Sequence, residues 1–490
     1  MDWAVTNLHT SPWKTNFVNY PAGSSLLAHT LSPLNGLAAI PLSRFLPQVV
    51  VFNTIHVLAF VLSGMTAFWL AYYLSRNILP SLAAGYIFTF SSYHWAHGQG
   101  HLQLTAMQWI PLFLLAWVRF LDGPSFGRAA MAVAALLLVE LCDFYYLLYC
   151  VLAGMIFLMA RLTDATCRPL LLTRRSTLAL VVFALGALAC CGSLPIALAA
   201  LNRSDPLLGS HPAADFSTDL LAPLIASPEW RFSRLTYWYW SGLGENLSEI
   251  SVSLGLAALT MAIYGWLRRR RNPAMHAGTW AFVGLTFYLL SLGPVLHVCG
   301  RPVMGRWMPY SLLEMLIPPL RLSGCPSRMM VMTTLCTAVL AAAGLAALAQ
   351  VSRFARRIVW LVFAVLLVVE SIPRDRDLTS AQVPNWVVAL RDLPDGAILD
   401  VTPPPPGRAL FYQTVHRKPM AFGYISRLQR SVAAQNQRIR DLVTAGRFRP
   451  LVARFGIRYL LTDGRDEPPA RSIVFDEPGR RIIDLGVAFP

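Results

Sequence analysis

Residues 129–161 read AAMAVAALLLVELCDFYYLLYCVLAGMIFLMAR. Inside that apolar run only Glu140 and Asp143 carry charge before Arg161. As one helix the run would be about 50 Å long at 1.5 Å per residue, well beyond a hydrocarbon core of about 30 Å. The stretch therefore predicts a tight hairpin of two membrane helices, with Glu140 and Asp143 near its tip.

The same reading extends outward in both directions. A membrane helix needs about 20 apolar residues. Runs of that kind occur at 49–75, 79–95, 103–121, 129–142, 143–161, 176–200, 251–267, 277–298, 329–350 and 357–372. Ten spans are expected. Composition agrees: 55% of the 490 residues are hydrophobic and 13% charged, where soluble domains carry about 25% charged residues. That excludes a soluble enzyme, a disordered chain and a disulfide scaffold.

The net charge of +16 raises the question of nucleic acid, and its placement answers it. On one side of the expected bundle, 14 basic residues fall in about 45 loop residues, among them Arg161, Arg174, Arg175 and Arg268 to Arg271. Short, dense basic loops mark the cytoplasmic side of a membrane protein. The basic clusters thus read as topology signals, and no nucleic-acid partner is expected. The long loops 201–250 and 299–328, the opening segment 1–48 and the region 373–490 all fall on the opposite, extracytoplasmic side. Three parts follow: an outer segment 1–48, a membrane domain 49–372, and a C-terminal domain 373–490. The last holds 18 of the 41 basic residues, with short strand-like runs around 397–401 and 457–461, and reads as a small α/β domain.

Eleven of the 13 acids in residues 1–373 fall at or near the outer face, so acid–base chemistry is expected there; longer outer loops explain much of that skew. Glu140 and Asp143 interrupt an apolar run, where a carboxylate is costly unless it faces a cavity or a cation, or caps a helix at the interface. His94, His97 and His101 lie in a segment without Lys, Arg or acid. Zinc is not expected there, because Gly98 and Gly100 break the helix and no further ligand is near in sequence. Hydrogen bonding to a phosphate or sugar, or a simple polar turn, fits them better. Arg321 and Arg328 stand just before a span on the outer side, against the basic-side trend. Arginine forks bind phosphate in two-point fashion; pairing with an outer acid is the alternative. The ring cluster Trp230, Tyr237, Trp238, Tyr239 and Trp240 reads as an interfacial belt or a sugar-stacking platform.

Several segments together resemble a family. They are Tyr20-Pro21-Ala22-Gly23, Leu27-Ala28-His29-Thr30 through Pro33, Asn53 and Gly64, Phe90-Ser91-Ser92-Tyr93, Gly100-His101-Leu102, Pro326-Ser327-Arg328, Tyr412-Gln413 through Pro419, and Gly423-Tyr424 through Arg427. Their order resembles bacterial multi-pass proteins related to the GT-C membrane glycosyltransferases. The resemblance implies a mostly α, polytopic helical bundle followed by an extracytoplasmic soluble domain. It implies a cytoplasmic-membrane enzyme that transfers sugar from a polyprenyl-phosphate donor to an envelope acceptor, without metal or other cofactor. It also implies a first span upstream of the outer segment, and so a helix preceding Met1. An outer acid would be the base: Asp2 is the acid of segment 1–48, with Glu140, Asp143 and Glu249 as substitutes. Arg321 and Arg328 would hold the lipid phosphate, helped by His97 and His101. The rival class is a non-catalytic accessory factor or transporter in envelope assembly.

Overall fold

The computed structural model describes residues 8–209, 211–243, 246, 248–271, 273–305, 307–376, 378–464 and 472–489. About 61% of the chain is helical. It divides into two units: Ser32–Pro195 with Ser210–Asp377, and Met1–Leu31 with Ile196–Gly209 and Leu378–Pro490.

The first unit is the helical one. Each of the ten expected spans contains a helix. Five helices among the described residues are long and apolar enough to cross a membrane: Gln48–Ser75, Leu102–Asp122, Phe144–Thr163, Arg174–Cys191 and Pro326–Gln350. The chain is a multi-pass membrane protein. The other expected spans fall short for local reasons. Ile78–Thr89 stops where the Ser91 hydroxyl takes the His94 backbone N–H and starts a new helix, Ser92–His97. A side-chain oxygen at that position supplies a partner that the first turn otherwise lacks. Arg353–Ser371 carries Arg353, Arg356, Arg357 and Glu370.

The hairpin is present. Phe126–Glu140 and Phe144–Thr163 are joined by Leu141, Cys142 and Asp143. At the other end of this hairpin, Arg161 and Asp122 pair at 2.6 Å. The helix Met330–Ala347 runs through the centre, with every residue from Met330 to Leu345 buried. A helix that is apolar all round belongs inside a bundle. It packs against Leu256–Leu267 and Ala277–Ser291. The first contact is unusually close, because glycines face each other's backbone. A Cβ added to Gly265 would stand 2.2 Å from Leu340 O, and one on Gly344 2.1 Å from Met261 O. Small residues let membrane helices approach this closely. Gly265→Leu is expected to destabilise the full-length protein by about 1–3 kcal/mol or more, since overpacking forces the helices apart. A thermal melt in detergent checks it; an unchanged midpoint would show that the contact is slack.

The second unit carries a four-stranded sheet in the order Ala397–Asp400, Ile457–Thr462, Arg480–Asp484, Ile473–Glu477. The first pair is parallel and the others antiparallel. Leu399, Leu460 and Ile483 fill its core. The boundaries differ from the sequence reading in two places. Part of the segment expected as an independent outer loop joins this unit: Val18 bridges Met420, Met420 bridges Ile398, and Asn436 Nδ2 donates to Asn19 Oδ1 at 2.8 Å. Conversely, residues 374–376 belong to the helical unit, because Arg374 and Arg376 pair with buried Glu229 at 3.4 and 3.1 Å. Neither contact is visible in local hydropathy.

Candidate functional site

Asp143 opens the helix Phe144–Thr163. Its Oδ1 accepts the backbone N–H groups of Tyr145 at 2.8 Å and Tyr146 at 3.2 Å. Asp is among the best residues for this position. The cap uses one carboxylate oxygen, and the side chain lies close enough to Arg328 and Glu249 to feel both charges. The sequence that follows, Phe144-Tyr145-Tyr146, turns rings toward the same region. The Tyr146 hydroxyl is 3.1 Å from that of Tyr93.

Arg328 stands in the turn Pro326–Met329, directly before the central helix. A cation at a helix N-terminus opposes the helix dipole. It is also buried, at 8% exposure, so it needs an anion close by. Glu249 supplies one from 79 residues away. Arg328 Nε donates to Glu249 Oε2 at 3.0 Å and Nη2 donates to Oε1, a two-point pair. The Arg328 guanidinium also lies over the Tyr145 ring, 5.0 Å from its centroid. Burial alone would push the Glu249 carboxyl up, but the Arg328 charge and hydrogen bonds hold it below the ordinary carboxylate range. It is therefore a weak proton acceptor.

The three histidines separate. His94 is a core residue: its ring nitrogens face Thr89 O at 2.8 Å and Thr105 O at 2.9 Å, and it stacks on Phe60. His97 ends its short helix, and His101 begins Leu102–Thr105 across the turn of Gly98, Gln99 and Gly100. Both point to Glu249. His97 Nε2 is 3.9 Å from Glu249 Oε2. Potential ligand atoms of His97, His101 and Glu249 all lie within 4.8 Å of one another. Burial pushes His97 down to about 3 and lowers His101 as well, so both rings are neutral near pH 7. The carboxylate that the sequence of 93–104 lacked thus arrives from a distant loop.

The structure brings together Asp143, Glu249, Arg328, His97 and His101. It leaves two expected residues, Glu140 and Arg321, apart. Glu140, three residues before Asp143, ends its helix with neither carboxylate oxygen hydrogen-bonded among the described residues and with the Cys191 thiol against it. A shift of three residues around a turn is enough to aim it elsewhere. Arg321 is exposed on Leu320–Ser323; the charge it influences is Glu314, and it makes none of the contacts above. Asp2 lies outside the described residues. The ring cluster divides: Tyr239 donates to Asp219 at 2.6 Å and is buried with Trp240, while Tyr237 and Trp238 are exposed. The tyrosines around Arg328 were not singled out in the sequence; their signal was Tyr145, Tyr146 and Tyr149 spaced along one end of a helix that an acid caps.

A family model described as a domain of unknown function, DUF6311, matches residues 3–370. The chain belongs to the DUF6311 family. All five clustered residues lie within the matched span of the DUF6311 domain. No curated protein matches the chain in sequence. Among solved structures, this DUF6311 protein is similar to the arabinofuranosyltransferase AftD from Mycobacteria. A variant of AftD aligns with a TM-score of 0.61 at 14% identity, over 99% of this chain and 39% of that one. A second AftD structure gives 0.52 at 15% identity, over 96% and 36%. The chain therefore spans less than half of AftD. A structure of ArnT from Cupriavidus metallidurans bound to undecaprenyl phosphate aligns at 0.46 and 11% identity, over 94% and 88%. These neighbours are GT-C-fold glycosyltransferases, and at 14–15% identity the likeness to AftD is one of fold.

Proposed function

We propose that this DUF6311 protein is an integral membrane glycosyltransferase that moves a sugar from a polyprenyl-phosphate donor to an envelope acceptor on the extracytoplasmic face of the cytoplasmic membrane. The observation that carries the reading is the buried cluster at the hairpin tip. An arginine stands at a helix N-terminus beside a second carboxylate, Asp143, that is not tied into the Arg328 pair. In this scheme Asp143 takes the proton of the acceptor hydroxyl. The acceptor oxygen bonds to the anomeric carbon as the bond from that carbon to the phosphate oxygen breaks. The electron pair leaves with the lipid phosphate, whose charge Arg328 compensates. Glu249 holds the guanidinium in place. The fold likeness to AftD and the arginine asymmetry of the loops support the placement of this chemistry in the membrane and at its outer side.

One observation favours the rival reading of a non-catalytic envelope factor: Glu249 already occupies two donors of Arg328, as it would in a purely structural pair. The full-length protein in lipid nanodiscs separates the two. A glycosyltransferase is expected to bind undecaprenyl phosphate saturably and to release it from a sugar-charged donor when acceptor is added. Absence of both binding and release across a panel of polyprenyl-phosphate sugars would leave the accessory role.

A further inference from the structure

Two histidines three residues apart in this chain have opposite fates. His94 has a carbonyl within hydrogen-bond distance of each ring nitrogen, so whichever nitrogen carries the proton has an acceptor. His97 is as deeply buried, at 1% exposure, yet neither of its ring nitrogens has a hydrogen-bond partner among the described residues. Its approach to Glu249, 3.9 Å, is too long for a hydrogen bond. Buried polar atoms are normally paired, and an exception asks for a reason such as an ion. His101 reaches the same point, its ring 5.7 Å from that of His97.

We propose that His97, His101 and Glu249 form a divalent-cation site of the zinc class. Two neutral imidazoles and one ionised carboxylate suit zinc or cobalt; magnesium and calcium prefer all-oxygen sets. Three protein ligands leave a fourth position open, the arrangement of a site that takes a further ligand. Around a tetrahedral ion with bonds of about 2.0–2.1 Å, donors stand about 3.4 Å apart. The three potential donors lie within 4.8 Å, so a pair at that limit must close by about 1.4 Å to reach this spacing, and His101 is the least buried of the three. Arg328 does not block the site. An ionised carboxylate offers about four acceptor positions, and Arg328 takes two. The guanidinium then orients the ligand, as outer groups commonly do at metal sites. It also leaves the cavity with more positive than negative charge once the ion is in place. An anionic fourth ligand corrects that, so cation and phosphate bind with positive cooperativity. This part rests on the transferase reading for the source of the phosphate; the cation's binding does not. It replaces the metal-free expectation drawn from the sequence.

The test uses the full-length protein in nanodiscs, stripped with chelator and titrated with Co2+, whose visible absorption reports a tetrahedral nitrogen–oxygen site. One equivalent is expected, displaced by Zn2+, with affinity raised severalfold by inorganic phosphate. His101→Ala, His97→Ala and Glu249→Gln should each weaken it by about 100-fold or more, since each removes one of three ligands, while His9→Ala, at an exposed position, changes nothing. His101→Ala is the decisive variant should the more buried pair fail to fold, as judged by gel filtration. No stoichiometric Co2+, or binding unchanged in His101→Ala, overturns the site. Undecaprenyl phosphate binding and its release from sugar-charged donors, measured on the same preparation, keep the two readings apart: lipid binding without cobalt binding removes the metal, and cobalt binding with neither lipid binding nor release sustains the metal while removing the transferase.

Discussion

Arg328→Ala is expected to be the most damaging single substitution in this protein. It leaves the buried Glu249 carboxylate without its counter-charge, and breaking a buried pair from one side costs about 3–5 kcal/mol. Glu249 is 3% exposed and accepts two hydrogen bonds from the arginine, so water has little access to replace them. The more informative experiment is the pair. Arg328→Met combined with Glu249→Leu removes both charges and keeps apolar volume, and such exchanges are often neutral or stabilising. Relative to Arg328→Ala, the double variant should recover most of the lost thermal stability. It should not recover undecaprenyl phosphate binding or sugar transfer, because the phosphate's partner is gone. Recovery of stability together with full binding and transfer would show that the pair is architecture and that the phosphate is held elsewhere.

Asp143→Asn is expected to have the next largest effect, and on catalysis instead of stability. Asn caps helices about as well as Asp. Its side-chain oxygen can keep the bonds from Tyr145 and Tyr146 at the start of Phe144–Thr163. The melting temperature should therefore move little. The amide cannot accept the acceptor's proton, and general-base contributions are typically about 10²–10⁴-fold. Transfer should fall by that order while undecaprenyl phosphate binding persists. Asp143→Ala supplies the contrast, losing the cap as well at about 1 kcal/mol. Equal transfer by wild type and Asp143→Asn would assign Asp143 to capping alone and move the base to another group.

The residues themselves show how far local reading reaches. The hairpin over 129–161, the apolar span at 329–350 and the membrane character of the chain follow from hydropathy and helix length. Both are local quantities, set by a bilayer core of fixed thickness and by a backbone that must satisfy its own hydrogen bonds. Asp143 and Arg328 were legible as candidates for a similar reason: charge inside or beside an apolar span is costly, so its presence is informative.

The partnerships were not legible. Glu140 and Asp143 look alike in sequence, and a three-residue step around the hairpin turn sends one against Cys191 and the other toward Arg328. Glu249 was one of several acids in a long loop; only the fold carries it to Arg328 and to two histidines more than 140 residues earlier. Along the chain the 93–104 segment carries no acid, whereas Glu249, the third donor of the proposed site, reaches the histidines through space. Part of the segment 1–48 likewise belongs with residues 378–490 through contacts such as Val18 with Met420 and Asn19 with Asn436. The sequence by itself determined which stretches become apolar helices and which charges are out of place, because those depend on neighbours a few residues away. Tertiary structure alone decided which of those charges meet, because a buried ion is compensated by whatever partner long-range packing brings within a few ångströms.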